Sequence, residues 1–278
     1  MSAPVIAFLA ITFLVSWALF AASTVVPAGG PAVLLLGVIT PSLVAVALTA
    51  WAEGRAGVLA LLRRIVEPPA RARLYVFAVT YLAVIKVGAA IAHRVAIGAW
   101  PAFGPTPLVI MAGAILISTP VQAGEEIGWR GYALPRLAGR IGLGPAGIVL
   151  GVVWAAWHLP FFFMPGADTY GQSFPLYLLQ VTALSVAMAW LYWRANGVLL
   201  PLMVMHAAVN NTKDIVPSAM PGATEPLALT ATPVGWLTAA LLWICAAYFL
   251  VRMRGAGAAA AARTTTQRAE RARSDVTT

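Results

Sequence analysis

An all-α, polytopic membrane bundle is the fold class this sequence predicts, and three observations predict it. The chain is 61% hydrophobic and 10% charged, where a soluble domain carries about 25% charged residues. Its mean hydropathy is +0.85. Its apolar residues gather in runs of bilayer-crossing length, separated by short segments rich in Gly, Pro and Arg. Lipid cannot hydrogen-bond a backbone, so such runs cross as helices. Composition also sets other classes aside. The formal charge is +9, but the basic residues lie between or after the apolar runs. That is the pattern of orientation signals and anionic-lipid contacts, so membrane lipids rather than nucleic acid are the expected partners. A single cysteine, Cys245, leaves no disulfide framework and no cysteine metal site.

Eight spans are expected. Residues 4–26 form the first run, too long for a signal-peptide core and without a basic leader segment, and are read as a retained span. Span two covers 32–52 after the turn residues Gly29, Gly30 and Pro31, with Pro41 placed to kink it. Residues 53–73 carry five arginines against Glu53 and Glu67. The spacing of Val58, Leu61, Leu62 and Ile65 predicts an interfacial amphipathic helix there. Span three covers 74–97 and holds Lys86, His93 and Arg94. An uncharged, breaker-rich linker then leads to span four, from 107 into the region of Glu125. Gly142, Gly144 and Pro145 precede span five, 146–164. Span six is 174–193, Asn196 and Gly197 turn the chain into a short span seven, 198–212, and span eight is 234–251. Residues 1–254 therefore read as one transmembrane domain with its motifs at about 105–212, and residues 255–278 as a basic cytoplasmic tail expected to be disordered.

Orientation follows from the arginines. Segments 53–73, 136–144 and 194–197 and the tail are basic, while 27–31, 98–106, 165–173 and 213–233 are not. Eight spans in a plasma (inner) membrane with both termini cytoplasmic satisfy this alternation.

Three polar constellations interrupt the apolar spans. The first is Glu125-Glu126-x-x-x-Arg130, two adjacent carboxylates in a chain with nine acidic residues. Glu126 and Arg130 are four apart and suited to an ion pair. Glu125 points elsewhere and is left as an adjustable acid or base, or else as a spare carboxylate near the interface. The second is Trp154-x-x-x-His158 in span five, and the third is His206-x-x-x-Asn210 in span seven. Taken singly, either histidine is also compatible with helix–helix hydrogen bonding. The remaining histidine, His93, reads as interfacial. Ionisable groups at such depth are expensive and mark function. A carboxylate that takes a proton from water, with uncharged donors to hold an oxyanion, is what amide hydrolysis needs.

In this order, EExxxR, then an aromatic-xxx-His motif, then HxxxN, each on an apolar segment, resemble the CPBP intramembrane proteases. That group includes the CAAX prenyl endoproteases, the Abi proteins linked to bacteriocin immunity and the lysostaphin-resistance-like proteins. The resemblance implies that Glu125 is the catalytic glutamate, activating water together with His158. It further implies that His206 and Asn210 form the oxyanion pocket and that Glu126 and Arg130 support it. Trp154 stands where the family usually has Phe; it still offers an apolar wall, but its N–H needs a partner. The resemblance leaves cofactors open between none and zinc, since Glu125, His158 and His206 could supply a His2Glu set. There is no HExxH motif. The metal-free version is the one favoured, because Asn210 beside His206 suits an oxyanion clamp.

The function expected is therefore an intramembrane endopeptidase acting on a peptide or protein that is prenylated or otherwise hydrophobic at its C-terminus. A proton-coupled transporter is the alternative from another class, although no repeated halves are visible. A non-catalytic immunity or scaffold protein is a third.

Overall fold

A computed structural model describes residues 3–26, 29–67 and 70–274, with side chains described as far as Arg254. Among these residues there is no strand, and the chain is a polytopic helical bundle. Its helices are α1 (Ala3–Ser23), α2 (Gly30–Arg63), α3 (Ala72–Ile97), α4 (Leu108–Ile141), α5 (Leu143–Trp157), α6 (Phe174–Arg194), α7 (Leu200–Thr212) and α8 (Pro233–Ser274). Six of them are long and apolar enough to cross a bilayer; α5 and α7 are not counted among those six. At 15 and 13 residues, and about 1.5 Å per residue, these two fall short of a hydrocarbon core about 30 Å thick. The run read as span five, 146–164, stops being α-helical at Trp157. Pro160 follows within three residues, and Leu159–Phe162 tightens into a 3₁₀ turn.

Helix α2 absorbs the start of the segment read as an interfacial helix. Its one residue with non-helical backbone is Gly54, at φ 64° and ψ −164°, so the break falls there rather than at Pro41. Residues 68 and 69 of that segment lie outside the described residues. The backbone of α8 runs on to Ser274 through an alanine-rich stretch that favours helix. Residues 275–278 of the tail lie outside the described residues.

Small residues let the helices approach. Gly124 and Gly128 on α4 face α2, where an added Cβ would lie 2.6 Å from Ile39 and 2.5 Å from the carbonyl oxygen of Pro41. Gly147 and Gly151 on α5 face α6, where the same atom would meet Ala189 at 2.9 Å and Thr182 at 2.7 Å. Both pairs have the four-residue spacing that membrane helices use for close contact. Helix α6 is the most enclosed of the spans, with 61% of its apolar window buried. Phe77 of α3, Trp190 of α6 and Phe249 of α8 stack in one aromatic cluster beside it. Leu14, Val84, Leu116, Ile117 and Val251 are exposed on the outside, as a lipid-facing surface requires.

The two ends of the bundle are built differently. At one end Arg64 reaches the carbonyls of Gly131 and Gly197 and the hydroxyl of Tyr192, drawing together α2, α4 and the turn between α6 and α7. At the other end loops meet loops: Gly104 donates its N–H to the carbonyl of Ile215, and Phe174 donates to that of Pro226.

Candidate active site

Helix α4 changes its hydrogen-bond register around the two glutamates. It is α-helical to Ser118, 3₁₀ over Thr119–Gln122 where Pro120 lacks an N–H, and α-helical again over Ala123–Glu126. It is then a π-helix over Ile127–Ala133. Such wide turns are rare and frequent at functional sites. Here the wide turn carries Arg130, which is fully buried. Its Nη1 donates to Glu126 Oε1 at 2.8 Å. The expected pair is present.

His206 adds a second bond to the same oxygen: its Nδ1 lies 2.8 Å from Glu126 Oε1. The sequence reading leaves His206 free for the oxyanion pocket; the fold fastens one of its nitrogens to the supporting carboxylate instead. Since Arg130 and His206 both approach Glu126, this carboxylate is enclosed on α4 and tied to α7.

Glu125 turns the other way and is 6% exposed. Its Oε2 accepts from Trp154 Nε1 at 2.8 Å, so the Trp that replaces the family's usual Phe finds its N–H partner in Glu125. The Trp154 ring also lies beneath the Arg130 guanidinium, 4.1 Å from its carbon to the ring centroid. One indole thus touches both arms of the EExxxR motif.

His158 caps the C-terminal end of α5. Its Nδ1 is 2.8 Å from the Trp154 carbonyl oxygen. A carbonyl only accepts, so Nδ1 carries the proton and Nε2 is left as the free ring nitrogen. Trp157, Phe161 and Tyr177 surround the ring at centroid distances of 4.8, 5.9 and 5.7 Å, fixing its orientation.

Trp154, His158, His206 and Asn210 all line one cavity of about 610 Å³. Two helices, α5 and α7, therefore bring the second and third motifs to a common space. Glu125 sits behind the Trp154 wall of that space rather than on its lining. Asn210 is exposed within the cavity and makes no hydrogen bond among the described residues, whereas its neighbour Asn211 is occupied with Ser118 and Ala207. His93 stays apart at the end of α3, bonded to the carbonyl of Ala99.

A metal centre does not fit this arrangement. Among the described residues no three His, Cys, Asp or Glu side chains are grouped closely enough to hold an ion. That includes Glu125, His158 and His206.

Two groups escape the sequence reading. Tyr177 of α6 packs on His158 and lines the cavity, with no motif to announce it. Ser42 of α2 donates to the Ala123 carbonyl at 2.6 Å and accepts from the Gly128 N–H at 3.2 Å, holding α4 on either side of the glutamates. The spacing of Gly124 and Gly128 was the available signal for that contact.

The fold and the site together define a multi-pass helical membrane protein with ionisable groups gathered at a cavity among its helices. Residues 105–212 match the family model described as type II CAAX prenyl endopeptidase Rce1-like. A CAAX prenyl protease 2 of Methanococcus maripaludis is 26% identical over 98 residues, covering 33% of this chain and 36% of that protein. The alignment thus spans about a third of either chain. The resemblance to the CPBP proteases is borne out over the segment that carries the motifs.

Proposed function

We propose that this chain is an intramembrane endopeptidase that hydrolyses a peptide bond in a membrane-associated substrate. The observation that carries the reading is the convergence of Trp154, His158, His206 and Asn210 on one cavity, with Glu125 bonded to its wall. A water lodged at the edge of the Trp154 wall, between cavity and carboxylate, donates one hydrogen to His158 Nε2 and gives the other to Glu125 Oε1, the oxygen that Trp154 leaves free. The resulting hydroxide attacks the scissile carbonyl. Asn210 Nδ2 donates to the oxyanion. His206 joins it through Nε2 when its ring is doubly protonated, because Nδ1 is already spent on Glu126. Glu125 then returns its proton to the leaving nitrogen as the C–N bond breaks, giving a new carboxylic acid and a new amine.

The reading takes its substrate class from the resemblance: a peptide, prenylated or otherwise apolar near its C-terminus, guided in by the bilayer. The cavity supports this, since Leu82, Leu184 and Leu242 line it together with the polar groups. The test is cleavage of such a peptide by purified protein in lipid nanodiscs. Glu125→Ala and His158→Ala abolish turnover while expression and folding stay normal. Retained cleavage by Glu125→Ala overturns the assignment.

A further inference from the structure

We propose that Lys86 is the anchor for an anionic group of the ligand, the C-terminal carboxylate of a peptide. The proposal deepens the endopeptidase reading and rests on it only for the identity of the ligand as a peptide. Lys86 lies midway along α3, is 4% exposed and lines the same cavity as His158 and Asn210. A buried ammonium is costly without a paired anion. Here its Nζ donates to the carbonyl of Val216 and the hydroxyl of Ser218, both uncharged. Among the described residues no carboxylate pairs with it. Asp168 is taken by Lys213 at 2.7 Å; Asp214 lines the same cavity and its charge acts on Lys86 from a distance, without an ion-pair contact. An ammonium has three donors, so one remains for a ligand. A peptide whose C-terminal end enters the cavity brings a carboxylate of its own. With that group on Lys86, the preceding residues extend along the apolar wall toward His158 and Asn210.

The test compares an acetylated apolar tetrapeptide acid with the same peptide as its C-terminal amide, by calorimetric titration of full-length protein in nanodiscs. Binding is read without turnover, so it is separable from any failure of the protease reading. The acid is expected to bind at least about 10-fold more tightly than the amide to the wild type. Lys86→Met should bind the two forms equally, and Lys86→Arg should keep the preference. Equal binding by the wild type, no binding of the acid, or a preference retained in Lys86→Met overturns the proposal. The first comparison needs no variant, so misfolding of Lys86→Met leaves it decisive.

Discussion

Trp154 Nε1 and Glu125 Oε2 stand 2.8 Å apart, and this bond joins the second motif to the first. A hydrogen bond to a charged group contributes about 1.5–3 kcal/mol. The same position carries Phe in the family that the motifs resemble, so the indole supports the chemistry without being indispensable to it. Trp154→Phe should therefore lower kcat about 10-fold while moving KM less than about twofold, a split measured by steady-state cleavage of an apolar peptide. An equal change in both would mean that Trp154 serves packing alone.

Arg130 and Glu126 form a fully enclosed ion pair. Removing one partner of such a pair leaves an uncompensated charge and costs about 3–5 kcal/mol. Arg130→Met is expected to lower the thermal midpoint in detergent sharply. The double variant Glu126→Gln with Arg130→Met should recover part of the loss, because neither charge then remains.

Gly151 sets how closely α5 approaches α6. A Cβ there would lie 2.7 Å from Thr182 Cα and 2.9 Å from Ser185 Cβ. Gly151→Ala should destabilise by about 1–3 kcal/mol through overpacking. Gly113→Ala meets nothing within 4 Å and should be neutral or slightly stabilising. Denaturation curves of the two variants side by side test the contrast.

Chelation separates the two chemistries that the family resemblance leaves open. With no three ligand side chains grouped closely enough to hold an ion among the described residues, cleavage through Glu125 and His158 is expected to survive EDTA, and elemental analysis of active protein should find no stoichiometric zinc. Loss of activity with EDTA and its recovery with zinc would require the side chains to regroup around an ion.

Spacing alone made the Glu126–Arg130 pair legible, because four residues on a helix fix that geometry before any tertiary contact exists. The helical bundle was legible for a similar reason: hydropathy reports solvent directly. The extra reach of span five was not, because hydropathy does not register that Pro160 ends α-helical hydrogen bonding. The π-turn at Ile127–Ala133 is a change of hydrogen-bond register that leaves no compositional trace. Which nitrogen of His206 is occupied depends on Glu126 of another helix, and Trp154 finds Glu125 only once α4 and α5 are docked. The order of the motifs pointed to convergence on one cavity; the bonds that set Glu125 behind the Trp154 wall came from packing.

Arg64 gives the bundle a mechanical polarity. By closing on Gly131, Gly197 and Tyr192 it makes the arginine-rich end a cross-braced base. The opposite end is held by loop contacts that can part without breaking a helix. Breathing that admits a ligand should therefore be concentrated there, above His158 and Asn210, while the π-turn beneath stays at fixed depth. In hydrogen exchange the amides of Ser218–Ala231 should exchange well before those of Ile127–Ala133.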